Sequence, residues 1–468
     1  MSEQIQGNVL SAFNKDNMSF LLLNFNESAP ARRWLGEVEP LVATTKQVED
    51  FNEAFSAARR ERGGDDPPMK AVWVNVGLTI DGLRTLSTDF QGLSERLRNP
   101  PGGRESGFEA FLSKPRDRAG RLGDGGRSAP ENWLFGGPDQ TDVDAVVTVA
   151  ADDPEDLEEK IDEIQQISAR RHVVTVLRLK GGTLPGARQG HEHFGFKDGI
   201  SQPGVRQFHE PDPNNPDERK GHPGTEMIKP GEFVLGYPDE HGRDPGAVPG
   251  WMKDGSFQVL RRLVQDVPGW WAQMRQAAAH NVKGGDDRLA AKVVGRWRSG
   301  TPLAAAPNTD NPLAEAGSDD NDFDYDDDPQ GLKTPRFAHI RKTYPRDDRF
   351  QDDLHRIMRR GIPFGRHFDP ALGRGHGQDA ERGLLFNAHC ADISEQFEFI
   401  QEIWANNVNF QQQNDGPDPV IGTSGKATLR MKDSTEQLDF RRFVHTTGAL
   451  YAFAPSKRTL QRLAAGEL

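Results

Sequence analysis

Apolar residues in this chain gather into short runs, and most runs are followed by apolar positions at helical spacing. Phe20-Leu21-Leu22-Leu23 is the first run, and a mostly polar stretch leads from it into the helix-like ARRWLGEV. Ala71–Val76 is rich in strand-forming residues, and Thr79 offers a hydroxyl cap to a helical segment holding Leu83 and Leu86. The clearest unit begins at Ala145-Val146-Val147-Thr148-Val149. Asp153 and Pro154 then supply a cap and a first helical residue, and Leu157, Ile161 and Ile164 recur on one face. Val173–Leu179 closes the unit as a strand stopped by Gly181-Gly182.

The second half repeats this grammar at lower density. Phe257–Val264 predicts a strand before the helical WWAQMRQAAAH. Leu384–Ala391 predicts a buried strand, after which Ile393, Phe397, Ile400 and Trp404 fall on one helical face. Ala449–Ala454, wholly apolar between Gly448 and Pro455, reads as a final strand buried on both faces. Strands separated by helices suit either a parallel α/β sheet or an antiparallel α+β sheet of split β-α-β units. Only a few units fall in each half, which favours two α+β domains. Between them lie long irregular stretches, residues 181–255 and 300–335. The second holds seven aspartates from Asp319 to Asp328, but an EF-hand read from Asp320 has Tyr325 where glycine is required, so a solvated acidic loop is expected.

The length of 468 residues allows two or three domains. With its 49 glycines counted, the apolar share reaches about the 45–50% of ordinary globular chains. A net charge of −13 argues against nucleic acid or an anionic membrane as main partner, since phosphate contacts need clustered Lys and Arg. A single cysteine, Cys390, excludes an internal disulfide framework, a cysteine-ligated zinc site and an iron–sulfur cluster. No apolar run approaches the roughly 20 residues of a membrane helix. The amino terminus, MSEQIQGNVL, has neither a basic nor a greasy signal region, so a cytoplasmic protein is expected.

Common catalytic motifs fail on inspection. His191-Glu192-His193 opens like a zinc-protease motif but has Gly195 where the second histidine belongs, and Ile421–Lys426 lacks the first glycine of a phosphate loop. Three other segments are unusual. HFGFKDGISQP, residues 193–203, surrounds the carboxylate of Asp198 with aromatic residues and glycines. Such apolar neighbours are expected to raise its pKa, although, taken alone, the string is better explained as an ordinary Asp-Gly turn. FAHIRKTYPR, residues 337–346, sets His339 among small and apolar residues, as either a core histidine or a metal ligand. MRRGIPFG, residues 358–365, carries a basic pair into an apolar turn.

Taken together, these segments resemble the dye-decolourising peroxidase family, which binds haem. The family's GxxDG signature stands at Gly195-Phe196-Lys197-Asp198-Gly199, the axial-histidine region at AHIRKTYPR and the distal-arginine region at RRGIPFG. IQGNVLSAFNKD, EFVLGYPDEHG, VVGRWRSGTPLA and RGLLFNAHCADISEQFEFIQEIWANN match further segments in the same order, as in the family's longer-chain members.

The resemblance implies an α+β fold of two ferredoxin-like domains, residues 1–204 and 205–468, with haem b mainly in the second. It implies His339 as axial ligand, its other nitrogen donating to an acceptor that the string does not name, and Arg341 at a haem propionate. Asp198 and Arg359 map onto the catalytic pair, with Arg359 preferred to Arg360 because it stands four residues before Pro363. Leu384 and Phe386 match apolar residues that narrow the pocket. The implied activity is hydrogen-peroxide-dependent oxidation of dyes, phenolics and other aromatic donors through a ferryl intermediate, with long-range electron transfer for bulky donors. Tyr344, Trp404 and Tyr451 are aromatic candidates for that path. A haem carrier, sensor or deferrochelatase-like protein is the alternative. Tyr344 stands where relatives often have asparagine, and Thr334–Ala338 is a bulkier, more charged approach to the ligand than is usual. Oligomeric state is left open.

Overall fold

The computed structural model describes residues 2–64, 68–99, 105–281, 284–310, 321–369 and 380–468. Asp319 and Asp320 of the acidic run lie outside them. Nine strands build the main sheet: β1 Asn17–Phe25, β2 Val72–Leu78, β3 Ala145–Ala151, β4 Val173–Gly182, β5 Ser256–Gln265, β6 Met358–Arg359, β7 Ile362–Phe364, β8 Gly383–Cys390 and β9 Val444–Ala454. Their order is β7-β8-β5-β9-β2-β3-β1-β4, with β6 on β8, and all pairings are antiparallel.

Each half of the chain contributes a contiguous set of strands. In the first, every residue of β3 is buried because the strand lies between β2 and β1. β4 at the end of the order is half-exposed along most of its length. Helices Ser28–Val38 and Pro154–Arg170 cover one face, where Leu21, Leu23, Trp34, Val147, Ile161 and Ile164 share a core. The expected caps form: Thr79 Oγ1 accepts the Gly82 N–H at 3.2 Å, and Asp153 accepts that of Glu155 at 2.8 Å.

β9 joins the halves. It runs beside β5 in register from Ser256 to Gln265 with one bulge, and meets β2 at Phe453 opposite Leu78. The two ends of the order also converge. Gly181 of β4 lies so close to Ile362 of β7 that a Cβ there would collide with it. The interior thus enclosed is packed by residues of both halves, among them Phe20, Leu22, Val146, Leu260, Leu385 and Leu450. An α+β architecture of antiparallel sheet and packed helices is what the pattern predicts.

One helix departs from expectation. Ile393–Glu398 and Ile400–Ala405 are π-helical, with the Asn406 N–H reaching back five residues to the Gln401 carbonyl. The wider turn splits the apolar stripe. Phe397 joins the main core, whereas Trp404 stacks on Phe410 in a separate cluster. Ile400 and Gln401 reach a cavity wall.

Candidate active site

The cavity lies where β5, β8 and β9 meet the segments 192–203, 339–346 and 355–361. His339 begins a five-residue helix, His339–Thr343, held from beneath by two buried cations. Lys342 Nζ donates to the carbonyls of Trp404, Asn407 and Phe410, tying this helix to the end of the π segment. Arg341 donates to the Thr334 carbonyl at 2.7 Å and the Asp328 carbonyl at 3.0 Å, with its guanidinium over Tyr325. Asp328 in turn accepts the N–H groups of Leu332, Lys333 and Thr334, so this aspartate of the acidic run is a buried turn-former.

The His339 imidazole lines the cavity, and its Nδ1 meets Asp418 Oδ2 at 2.7 Å. Asp418 is fully buried, and its Oδ1 accepts the N–H groups of Val420 and Ile421. Burial alone lowers the imidazole's pKa, but the charge and hydrogen bond of Asp418 outweigh it and raise it. Nε2 makes no hydrogen bond to the described residues.

Asp198 sits on a tight loop. Gly195 and Gly199 have φ of 98° and 78°, a left-handed conformation that explains both glycines of GxxDG. Phe194 anchors the loop by stacking on Trp270, and the Glu192 carboxylate accepts the N–H groups of Phe194 and Phe196 and the Gln265 amide. Burial pushes the Glu192 pKa up to about 7. Asp198 Oδ1 accepts from Gly199 N at 2.6 Å and Arg359 Nη1 at 2.9 Å, while Oδ2 has no protein partner among the described residues. Burial pushes the Asp198 pKa up, as the string suggests, but the Arg359 charge and the Gly199 N–H more than offset it. The expected rise is therefore corrected to a fall.

The two arginines of RRG diverge. Arg359 faces Asp198, whereas the buried Arg360 donates to the carbonyls of Asn8, Val9 and Leu10. Leu384 and Phe386 line the cavity, with Leu263, Ile340, Phe397 and Ile421 adding apolar wall.

Five of the six residues singled out from sequence thus share one cavity: Asp198, His339, Arg359, Leu384 and Phe386. The sixth, Arg341, does not line it, because Asp328 and Thr334 hold its guanidinium on the far side of the helix. The cationic lining includes Arg296, Arg346 and Arg356 instead. Arg346 is wedged between Phe323 and Tyr344, and Arg356 lies over Tyr344, whose hydroxyl donates to Glu226. Trp404 and Tyr451 are buried, the latter donating to Glu398. Sequence reasoning missed Asp418, whose one local signal is a carboxylate between Pro417 and Pro419 ahead of an apolar run.

This donor set fits haem. A histidine with a free ring nitrogen and an anionic partner suits iron, apolar walls suit a macrocycle, and arginines suit its carboxylates. Among the described residues no group of three or more His, Cys, Asp or Glu is disposed to hold a metal ion alone, and no helix is long and apolar enough to cross a membrane.

Comparison with known proteins agrees with this chemistry. Residues 4–185 match the DyP dimeric alpha+beta barrel domain, and residues 244–415 match the Dyp-type peroxidase C-terminal domain. The chain is 30% identical to dye-decolorizing peroxidase msp1 of Mycetinis scorodonius, over 97% of this chain and 85% of that protein. It superposes on a variant of the dye-decolorizing peroxidase from Pleurotus ostreatus with a TM-score of 0.82, at 29% identity and 99% coverage of both chains. A dye-decolorizing peroxidase in complex with 2,6-dimethoxyphenol gives a TM-score of 0.78 at 27% identity, again over 99% of both chains. The chain belongs to the dye-decolourising peroxidases, a family of haem enzymes.

Proposed function

We propose that this peroxidase binds haem b through His339 Nε2 and uses Asp198 and Arg359 to activate hydrogen peroxide for oxidation of dyes and phenolic donors. The observation that carries the reading is the disposition of Asp198, with one carboxylate oxygen fixed by Gly199 and Arg359 and the other without a protein partner in the cavity shared with His339.

When bound, haem supplies the iron at which the peroxide O–O bond is cleaved and to which donors return electrons. The protein's part is to hold the group and move protons. Asp418 orients the His339 ring and makes it more basic. Arg346, Arg296 and Arg356 are placed to meet acidic side groups of the macrocycle. Asp198 Oδ2 takes a proton from one peroxide oxygen and returns it to the other, as general base and then acid. Arg359 provides fixed positive charge where negative charge develops. Leu384 and Phe386 restrict the space beside this pair to a small oxidant.

The same reading divides the chain at residue 204, between the main-sheet strands that end at Gly182 and those that begin at Ser256. It assigns a cytoplasmic location, supported by a lone buried cysteine. The test is turnover. The haem-loaded protein with peroxide and an anthraquinone dye should bleach the dye through many cycles, and Asp198→Asn should slow the peroxide step. A protein that holds haem stoichiometrically yet sustains no oxidation overturns the proposal in favour of a carrier.

A further inference from the structure

Asp198 and Arg359 are 161 positions apart, one on a loop and one on a two-residue strand. Neither element alone fixes their mutual distance. Among the described residues β6 has a strand partner on one side only, Arg359 standing opposite Ala388 of β8. On its other side lies the loop that carries Asp198, and there the Gln202 side chain does what a neighbouring strand would do. Its Oε1 accepts the Arg359 N–H at 3.2 Å, and its Nε2 donates to the Arg359 carbonyl at 3.0 Å. A primary carboxamide points its C=O and the N–H syn to it the same way, so, like a facing residue in an antiparallel pair, it can serve both the N–H and the C=O of one residue.

Arg359 returns the contact through its own side chain. Nη2 donates to the Ser201 carbonyl and Nη1 to Asp198 Oδ1, each at 2.9 Å. Four hydrogen bonds thus link one residue to three positions of a five-residue loop segment. Arg360 braces the peptide from the strand side, its Nη1 donating to the Arg359 carbonyl at 2.9 Å.

We infer that Gln202 is a positioning residue of the peroxidase reaction: by pairing with the main chain of Arg359 it sets the register between the guanidinium and Asp198. The inference rests on the reading of Asp198 and Arg359 as the reacting pair. Asparagine, one methylene shorter, cannot span both main-chain groups from the same backbone position, and leucine offers neither a donor nor an acceptor.

The experiment compares the full-length protein with its Gln202→Leu and Gln202→Asn variants by two independent readouts. Hydrogen–deuterium exchange of the segment holding Arg359, in apo and haem-loaded protein alike, reports the clasp without reference to activity. Stopped-flow reaction of the haem-loaded protein with peroxide reports its consequence. Both variants should exchange the Arg359 amide at least about tenfold faster, with exchange at Val147 in β3 unchanged as a control for global unfolding. Both should slow the peroxide step by roughly 10–100-fold while the KM for dye stays the same. Unaltered exchange at Arg359 overturns the inference, and so does faster exchange with an unaltered peroxide rate. Should Gln202→Leu fail to fold, Gln202→Asn carries the test, since it keeps a polar group in the loop. Failure of the underlying reading has a different signature: Asp198→Asn and Arg359→Leu would themselves leave the peroxide rate unchanged, which removes the inference along with it.

Discussion

Two walls of the cavity each carry a basic group paired with an aspartate, Asp418 buried behind the His339 ring and Asp198 in the cavity beside Arg359, and they differ in how the carboxylate is held. Asp418 is fully buried, both of its oxygens are engaged, and it meets His339 at 2.7 Å. Asp198 meets Arg359 at a similar 2.9 Å, but 41% of its side chain is open and only one oxygen is engaged. The first pair is built to stay as it is, since a buried carboxylate with both oxygens engaged is suited to orient its partner and supply a constant charge. The second keeps a vacant oxygen at which a proton can come and go. On the proposed function, the same residue type serves as a fixed charge on one wall and as a reactant on the other.

The contrast can be broken most severely at the ligand. His339→Ala should abolish tight haem binding, read as loss of the Soret band after hemin titration and gel filtration; full stoichiometry would reject the ligand. Next in size, Asp198→Asn should slow the peroxide step by roughly 10²–10⁴-fold with haem affinity unchanged. An unaffected rate would leave Arg359 as the principal group. Asp418→Asn should act on the other side of the comparison, weakening haem affinity or activity by about 10–100-fold. If it instead mimicked Asp198→Asn, with normal haem affinity and a lost proton-transfer step, the division of labour would be wrong.

A smaller effect concerns the loop beneath Asp198. The folded-state pKa of Glu192, about 7 against an ordinary 4.5, stands above the unfolded value. Its contribution to stability is therefore complete below about pH 4.5 and is lost as pH rises through about 7, amounting to no more than about 3 kcal/mol. Glu192→Gln should flatten the urea-midpoint profile over that window, and parallel profiles would sink the idea. The smallest effect is on the acid limb of activity. Because Arg359 helps hold the Asp198 pKa below its usual value, the wild-type limb should fall below that of an ordinary aspartate, about 3.9. Whatever activity Arg359→Leu retains should lose its acid limb at higher pH, measured as the rate of reaction with peroxide.

Much of this arrangement is legible in the string because it depends on local demands. β3 announces itself as a run broken only by Thr148, and the last six residues of β9, Ala449–Ala454, as a wholly apolar one, since each strand is buried between two neighbours, whereas the polar start of β9 from Val444 to Gly448 is not marked. Gly195 and Gly199 mark a loop whose backbone only glycine adopts at ease. What depends on distant partners is not legible. Asp418 is 79 residues from the imidazole it orients, and nothing near it encodes that meeting. Arg341 is expected at the cavity, and nothing in the string shows that Asp328 draws it away while Arg346 lines the wall. The apolar spacing from Ile393 to Trp404 gives no sign of the five-residue hydrogen bonding that the segment adopts. The pKa of Asp198 was misjudged for the same reason, its neighbours in sequence being apolar and its decisive neighbour in space a cation.

The place of β9 has a consequence for the order of events in the cell. It is the last of the nine main-sheet strands in sequence order, yet it sits between β5 and β2, and its Val444 and Thr446 line the cavity. A nascent chain halted before Val444 lacks both the bridge between the halves and part of the cavity wall, so it should acquire no Soret absorbance when hemin is offered. Loading of the prosthetic group should thereby wait until this strand has been made, and a polypeptide cut short before it should be spared from carrying a redox-active iron in a half-built shell.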